Sequence, residues 1–134
     1  MRMEVLKVRD IMDKKPRIVS PHMPIERIFK CLGTDPCLLV VERGKLKGII
    51  TESDFLHAVS VPTYRAAVGA PRMKWRARTA SELMTPHPIT VSPDDSLSDA
   101  LELMRRKKLR HLPVVEGEKV VGLLTLRAVL LRCT

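Results

Sequence analysis

Hydrophobic positions recur along this chain in an order that runs through twice. Ile25, Ile28, Phe29 and Leu32 fall at i, i+3, i+4 and i+7, and Leu97, Ala100, Leu101 and Met104 repeat that spacing 72 residues later. Each set predicts one buried face of an amphipathic helix. Upstream, at the same offset, Arg9-Asp10-Ile11-Met12 matches Ser81-Glu82-Leu83-Met84, and Val19-Ser20-Pro21 matches Val91-Ser92-Pro93. Downstream the offset becomes 74, because Arg105-Arg106-Lys107-Lys108-Leu109 is two residues longer than its counterpart. Leu38-Leu39-Val40-Val41 then pairs with Leu112-Pro113-Val114-Val115, short branched runs that read as buried strands. Glu42-Arg43-Gly44-Lys45 and Glu116-Gly117-Glu118-Lys119 read as hairpin turns leading into Leu46 to Thr51 and Val120 to Thr125.

Each repeat therefore predicts a short helix, a short strand, an amphipathic helix, a two-strand hairpin and a final helix. The fold class is α/β (α+β), with repeat 1 over residues 1–60, a connection over 61–79 and repeat 2 over 80–134. A unit of this size buries its sheet poorly alone, so the copies are expected to pack on one another. Pro16, Pro21, Pro88 and Pro93 bracket the short strand in both copies, as suits an edge or irregular strand. In the connection, Pro62, Gly69 and Pro71 break any long helix.

With 45% hydrophobic but only 3% aromatic residues, the core is aliphatic and ligand binding cannot rest mainly on aromatic stacking. No apolar run approaches the ~18 residues of a spanning helix. The first residues lack the apolar core and small-residue cleavage site of a secretory signal, so a cytoplasmic location is expected. Cys31, Cys37 and Cys133 are odd in number and without C-x-x-C spacing, which points to reduced structural thiols rather than a disulfide framework or a metal site. The net charge of +9 is concentrated in the middle: Arg65, Arg72, Lys74, Arg76 and Arg78 lie in a stretch between Asp54 and Glu82 that holds no acidic residue.

One stretch carries chemistry. Gly48-Ile49-Ile50-Thr51-Glu52-Ser53-Asp54 ends a strand in a threonine followed three positions later by a carboxylate, while Gly122-Leu123-Leu124-Thr125-Leu126-Arg127-Ala128 repeats it with alanine in the carboxylate's place. By itself T-x-x-D at a strand-to-helix junction is a capping box. Taken with the opening helix, the Val-Ser-Pro strand and the Leu-Pro-Val-Val strand, the chain resembles a tandem pair of CBS domains, the Bateman module, here as a stand-alone pair. The resemblance covers nearly everything except the connection and the first few residues.

That resemblance implies two pseudo-two-fold-related repeats with sheets packed face to face and two clefts between them. It also implies binding of adenosyl ligands, most often AMP, ADP or ATP and sometimes S-adenosylmethionine, and a tendency to pair into flat dimers. In such a module Asp54 accepts from both ribose hydroxyls, for which an ionised carboxylate offers two acceptor oxygens. Thr51 stands beside it. The opposing strand Ile89-Thr90-Val91 would meet the adenine edge with its backbone while Ile49, Ile50 and Ile89 wall the ring. Arg110, His111 and Arg127 would hold the phosphates, arginine being suited because its fork pairs two phosphate oxygens. In the other cleft Ala128 cannot accept, Ile18 stands for Thr90, and Pro36 and Cys37 stand for Arg110 and His111. Loss of one charge-assisted ribose bond costs about 1.5–3 kcal/mol, or one to two decades of affinity, so a single good site per chain is expected.

The sequence is compatible with three functions. The first is a non-enzymatic regulatory module that senses an adenosyl nucleotide and relays its occupancy to an unknown partner protein, as a homodimer without membrane association. The second is nucleic-acid binding by the basic connection, with Tyr64 and Trp75 stacking on bases; the same connection also reads as a solvated loop or as a flap over the cleft. The third is an enzyme, for which Ser53 and His57 are the nearest thing to a nucleophile and base, with no third partner and no catalytic constellation.

Overall fold

The computed structural model describes residues 5–32, 37–60 and 74–134. Repeat 1 holds α1 (Val8–Ile11), β1 (Ile18–Val19), α2 (Ile25–Cys31), β2 (Cys37–Glu42), β3 (Lys45–Thr51) and α3 (Glu52–Ala58). β4 (Val59–Ser60) and β5 (Lys74–Trp75) pair antiparallel at the two ends of the connection. Repeat 2 holds α4 (Ala80–Leu83), β6 (Thr85–Pro86), α5 (Leu97–Lys107), β7 (His111–Glu116), β8 (Lys119–Thr125) and α6 (Leu126–Cys133).

The hairpins form where the turn chemistry allows. Arg43 (φ 54) and Gly44 (φ 79) fill the two-residue turn between Glu42 and Lys45, and Gly117 (φ 61) opens the matching turn between Glu116 and Lys119. Positive φ at these positions follows the right-handed strand twist. Both hairpins carry a register shift at the same place, Val40/Val41 and Val114/Val115. β1 adds to β2 in parallel. Its equivalent in repeat 2 is a single parallel bridge between Val91 and Val114, so the expected Ile89-Thr90-Val91 strand shrinks to one residue.

The strands are apolar on both faces because both are covered. Leu38, Val40 and Ile50 point into the repeat 1 core, and Leu112, Val114 and Leu124 into the repeat 2 core. Cys37, Leu39 and Leu123 point the other way, into a third cluster shared by the two repeats and rimmed by Val41, Leu46, Ile49 and Val120. The sheets thus meet face to face. Their hairpin tips also touch edge to edge at Lys45 and Lys119, where Lys45 Nζ lies 3.1 Å from Glu118 Oε2.

The unit that folds differs from the unit that repeats in sequence. Val8 and Ile11 of α1 are buried in the repeat 2 core, and Ala80 and Leu83 of α4 in the repeat 1 core. The backbone bonds confirm the exchange pair by pair. Val8 N–H donates to Asp95 O (2.9 Å) and Ala80 N–H to Met23 O (2.9 Å); Arg9 N–H donates to Pro93 O and Ser81 N–H to Pro21 O. Leu97 N–H donates to Leu6 O and Ile25 N–H to Arg78 O. Every bond occurs twice at the 72-residue offset with the repeats interchanged. Full burial of a Val, Ile or Leu side chain contributes about 1.5–3 kcal/mol, so each exchanged helix is a substantial part of the other repeat's core.

The exchange explains the repeated glycine. A Cβ on Gly48 would meet the Met84 side chain and lie 2.8 Å from Thr85 O; one on Gly122 would lie 2.8 Å from both Met12 Sδ and Asp13 O. The end of the exchanged helix crosses the hairpin at that point, and only a residue without a side chain lets the backbones approach.

Candidate functional site

A cleft of about 1160 Å³ opens between the repeats, slightly above the usual range of small-molecule sites, about 300–1,000 Å³. Repeat 1 contributes Ile49 and Thr51 from the end of β3 and Glu52, Ser53 and Asp54 from the first turn of α3. The segment after α4 contributes Thr85, His87, Pro88 and Ile89. Repeat 2 contributes Lys108 to His111 from the α5–β7 connection and Thr125, Leu126, Arg127 and Leu130 from the start of α6.

Asp54 is half-buried and held on both oxygens. Oδ2 accepts from the Thr51 backbone N–H at 2.8 Å and from its hydroxyl at 3.4 Å, and Oδ1 accepts from the Thr85 hydroxyl at 2.6 Å. The capping role is therefore present. It does not exhaust the group, since two carboxylate oxygens offer about four acceptor positions. The Thr85 bond ties a residue from the exchanged segment of repeat 2 to the heading carboxylate of repeat 1, a link made possible by the close approach over Gly48.

The cationic side is laced by the backbone. Leu126 N–H donates to Arg110 O at 2.9 Å, which seats Arg110 beside the start of α6 and so near Arg127. α5 ends with Lys108 in the left-handed conformation (φ 56), and Leu109 N–H closes the turn on Met104 O at 2.9 Å. His87, at φ 51, is the second cleft residue in that region of backbone space.

Seven of the sequence-predicted residues meet in this cleft: Ile49, Thr51, Asp54, Ile89, Arg110, His111 and Arg127. Three do not line it. Ile50 is fully buried in the repeat 1 core, because successive strand residues point to opposite faces and Ile49 already takes the cleft side. Val91 is buried in the repeat 2 core and its backbone is engaged by β7, donating to Pro113 O at 3.1 Å and accepting from Val115 N–H at 2.9 Å. Thr90 is exposed and outside the cleft lining. Thr125, which opens α6, lines this cleft as well.

Thr85, His87 and Lys108 were not among the predicted site residues. For Lys108 a signal existed in the two-residue lengthening of Arg105 to Leu109, at the end of a helix that runs to eleven residues against seven in α2. Thr85 and His87 sit in Thr85-Pro86-His87-Pro88, whose irregular backbone gives no periodicity to read.

Other candidates resolve locally. His57 Nδ1–H donates to the Ser53 carbonyl at 2.7 Å, a helix-internal bond rather than a nucleophile–base pair. Trp75 does not present its ring for base stacking: it packs 5.0 Å from Phe29 and 6.1 Å from Phe55, and those two stack at 4.9 Å. Arg76 N–H donates to Ala58 O, fixing the end of the connection to repeat 1. Tyr64, Arg65 and Arg72 lie outside the described residues, as do Pro62, Gly69, Pro71 and, from the opposite cleft, Pro36. Cys31, Cys37 and Cys133 are thiols, not disulfides. Among the described residues no helix is long and apolar enough to cross a membrane.

Comparison with known proteins gives the same architecture. CBS domain-containing protein YhcV of Bacillus subtilis is 30% identical over 124 residues, 89% of this chain and 79% of its own length. A probable arabinose 5-phosphate isomerase of Haemophilus influenzae is 35% identical over 123 residues, but these are only 33% of that protein. Among solved structures, CBSX2 in complex with AMP superposes with a TM-score of 0.78 at 26% identity, over 92% of this chain and 93% of that one. The CBS domain pair of MJ0100 in complex with 5′-methylthioadenosine and S-adenosyl-L-methionine superposes at 0.73, also at 26% identity and over 92% of each chain. The CBS domain family profile matches residues 8–61 and 80–133, the same two segments that exchange their opening helices here, and the chain belongs to the CBS domain family as a CBS pair.

Proposed function

We propose that this chain is a non-enzymatic regulatory module that binds an adenosyl nucleotide, AMP, ADP or ATP, in the cleft headed by Asp54 and relays its occupancy to a partner protein. The observation that carries this reading is the joining, in one cleft, of a carboxylate from α3 with Arg110 and Arg127 from repeat 2. A ribose diol suits the first and a phosphate the second. AMP and S-adenosylmethionine in the cited neighbours support the ligand class. The relay is supported by the exchange of helices: the cleft is made from both repeats, so a ligand with different affinity for two arrangements would shift the balance between them. Pairing as a homodimer is supported by Leu56 of α3 (71% exposed) and Leu131 of α6 (72% exposed), apolar residues on the final helices of the two repeats. The division into repeats 1–60 and 80–134 with a basic connection over 61–79 belongs to the same reading.

Isothermal titration with adenosine, AMP, ADP, ATP and S-adenosylmethionine tests it, with mass spectrometry of any small molecule that co-purifies. Saturable binding of at least one at micromolar concentration is expected. Absence of heat and of thermal stabilisation with all five would end the proposal.

A further inference from the structure

We propose that the cleft selects its nucleotide by phosphate count, with Lys108 as the specificity-determining residue: ATP and ADP are favoured over AMP, and all three over S-adenosylmethionine. This rests on the adenosyl reading above and deepens it.

The cleft is electrically divided. Among the described residues its carboxylates, Glu52 and Asp54, both come from the first turn of α3, while its fixed cations, Lys108, Arg110 and Arg127, all come from repeat 2. A ligand spanning the cleft with its diol on Asp54 therefore sends its tail toward three positive charges. A monophosphate dianion is matched by two of them, and a forked guanidinium already engages two of its oxygens. The third has a partner only when the chain of phosphates continues. S-adenosylmethionine puts a sulfonium where the phosphate would lie, and because its amino and carboxylate groups cancel it brings a net positive charge toward the three cations, an arrangement that disfavours it against any phosphate.

Lys108 is the cation whose presence the fold leaves unexplained. It occupies a left-handed helix end (φ 56, ψ 46), a position that glycine or asparagine takes with less strain. A lysine there gains nothing from the turn, which is closed by backbone bonds alone, Lys108 N–H and Leu109 N–H both donating to Met104 O. Strained residues cluster at ligand sites when the ligand gives the reason for them, and both non-glycine cleft residues with positive φ, His87 and Lys108, stand there. Repeat 1 shows the alternative: α2 stops at Cys31, four residues earlier in register than α5, and the sequence from Leu32 to Cys37 holds no lysine.

The test uses the whole chain, titrated without divalent cations so that the phosphates keep their charge. Adenosine, AMP, ADP, ATP and S-adenosylmethionine are compared on the wild type and on Lys108→Asn, a residue that tolerates the same backbone. ATP is expected to bind about tenfold or more tighter than AMP, an advantage that narrows as salt is raised. K108N should lose about tenfold for ATP and change AMP by less than about twofold, with the melting temperature unchanged or higher. Equal affinity for AMP and ATP, equal or tighter binding of S-adenosylmethionine, or an equal loss for AMP and ATP in K108N overturns selection by phosphate count. Adenosine binding that persists in those cases leaves the adenosyl reading standing. Failure of every ligand, adenosine included, overturns both.

Discussion

The strand-to-helix junctions Thr51–Asp54 and Thr125–Ala128 occupy equivalent places and begin their helices by different means. In repeat 1 the carboxylate of Asp54 takes the Thr51 N–H. In repeat 2 the Thr125 hydroxyl takes the Ala128 N–H at 3.1 Å, and the threonine is nearly buried. Each helix N-terminus is satisfied, so a carboxylate is not what this junction requires in order to fold. What Asp54 adds is an acceptor facing a cleft. The duplicated framework is kept by glycine, apolar strand and exchanged helix, while the polar group at the junction is left to differ between the copies.

The largest effect should come from the part of the comparison in which the copies agree. Gly48→Ala and Gly122→Ala each force a Cβ against a backbone carbonyl, Thr85 O or Asp13 O, at 2.8 Å and against a methionine side chain. Overpacking of this kind costs about 1–3 kcal/mol, and the backbone cannot yield as a side-chain tip would, so values at the upper end are expected. For a chain of this size that lowers the melting temperature by roughly 5–15 °C. Calorimetry of both variants checks the symmetry of the exchange; an unchanged melting temperature in either would show that its exchanged helix does not press on the hairpin.

The next effect separates the copies. Asp54→Ala is expected to weaken nucleotide binding by one to two decades, from loss of about 1.5–3 kcal/mol of charge-assisted bonding. Because Asp54 also accepts from Thr51 and Thr85, thermal melting must accompany the titration. Thr85→Val keeps the shape and removes only the second of these bonds; it should leave affinity within a few-fold if Asp54 itself meets the ligand. Ala128→Asp should not create a second site of equal strength, since Cys37 is buried in the inter-repeat cluster where repeat 2 has its cleft-lining His111. Two equivalent sites in wild-type titrations would contradict the asymmetry directly.

Much of this was legible in sequence because it rests on periodicity. The helical faces of Ile25 to Leu32 and Leu97 to Met104, the hairpins and the pairing of copies are local patterns of burial, and the structure keeps them except at Phe29, which is 40% exposed and packs against the rings of Phe55 and Trp75 at the edge of the core. Asp54, Arg110 and Arg127 are placed in one cleft by the family resemblance, and the second copy shows only where the opposite cleft departs from it. Ile50 could have been placed in the core from strand alternation, since Ile49 and Ile50 cannot face the same side. The exchange of α1 and α4 could not be read, because a short helix carries the same apolar pattern whichever repeat it covers. Nor could Thr85, whose bond to Asp54 depends on the exchanged segment crossing Gly48 and appears in neither residue's own surroundings.

The smallest expected effect isolates the two caps. Thr125→Ala removes the side-chain acceptor of the Ala128 N–H, and loss of such a cap costs about 1 kcal/mol. Thr51→Ala leaves the Asp54 bond to the Thr51 backbone N–H in place and removes a long 3.4 Å contact, so a few tenths of a kcal/mol are expected. Chemical denaturation resolves such a difference through the midpoint at constant slope. If the carboxylate has taken over capping in repeat 1, the two threonines must differ in this order, and Thr51→Ala must become as costly as Thr125→Ala once Asp54 is also replaced by alanine. Equal costs in the single variants would mean that Asp54 contributes nothing to the helix start, and that its bond to Thr51 serves only to aim it at the cleft.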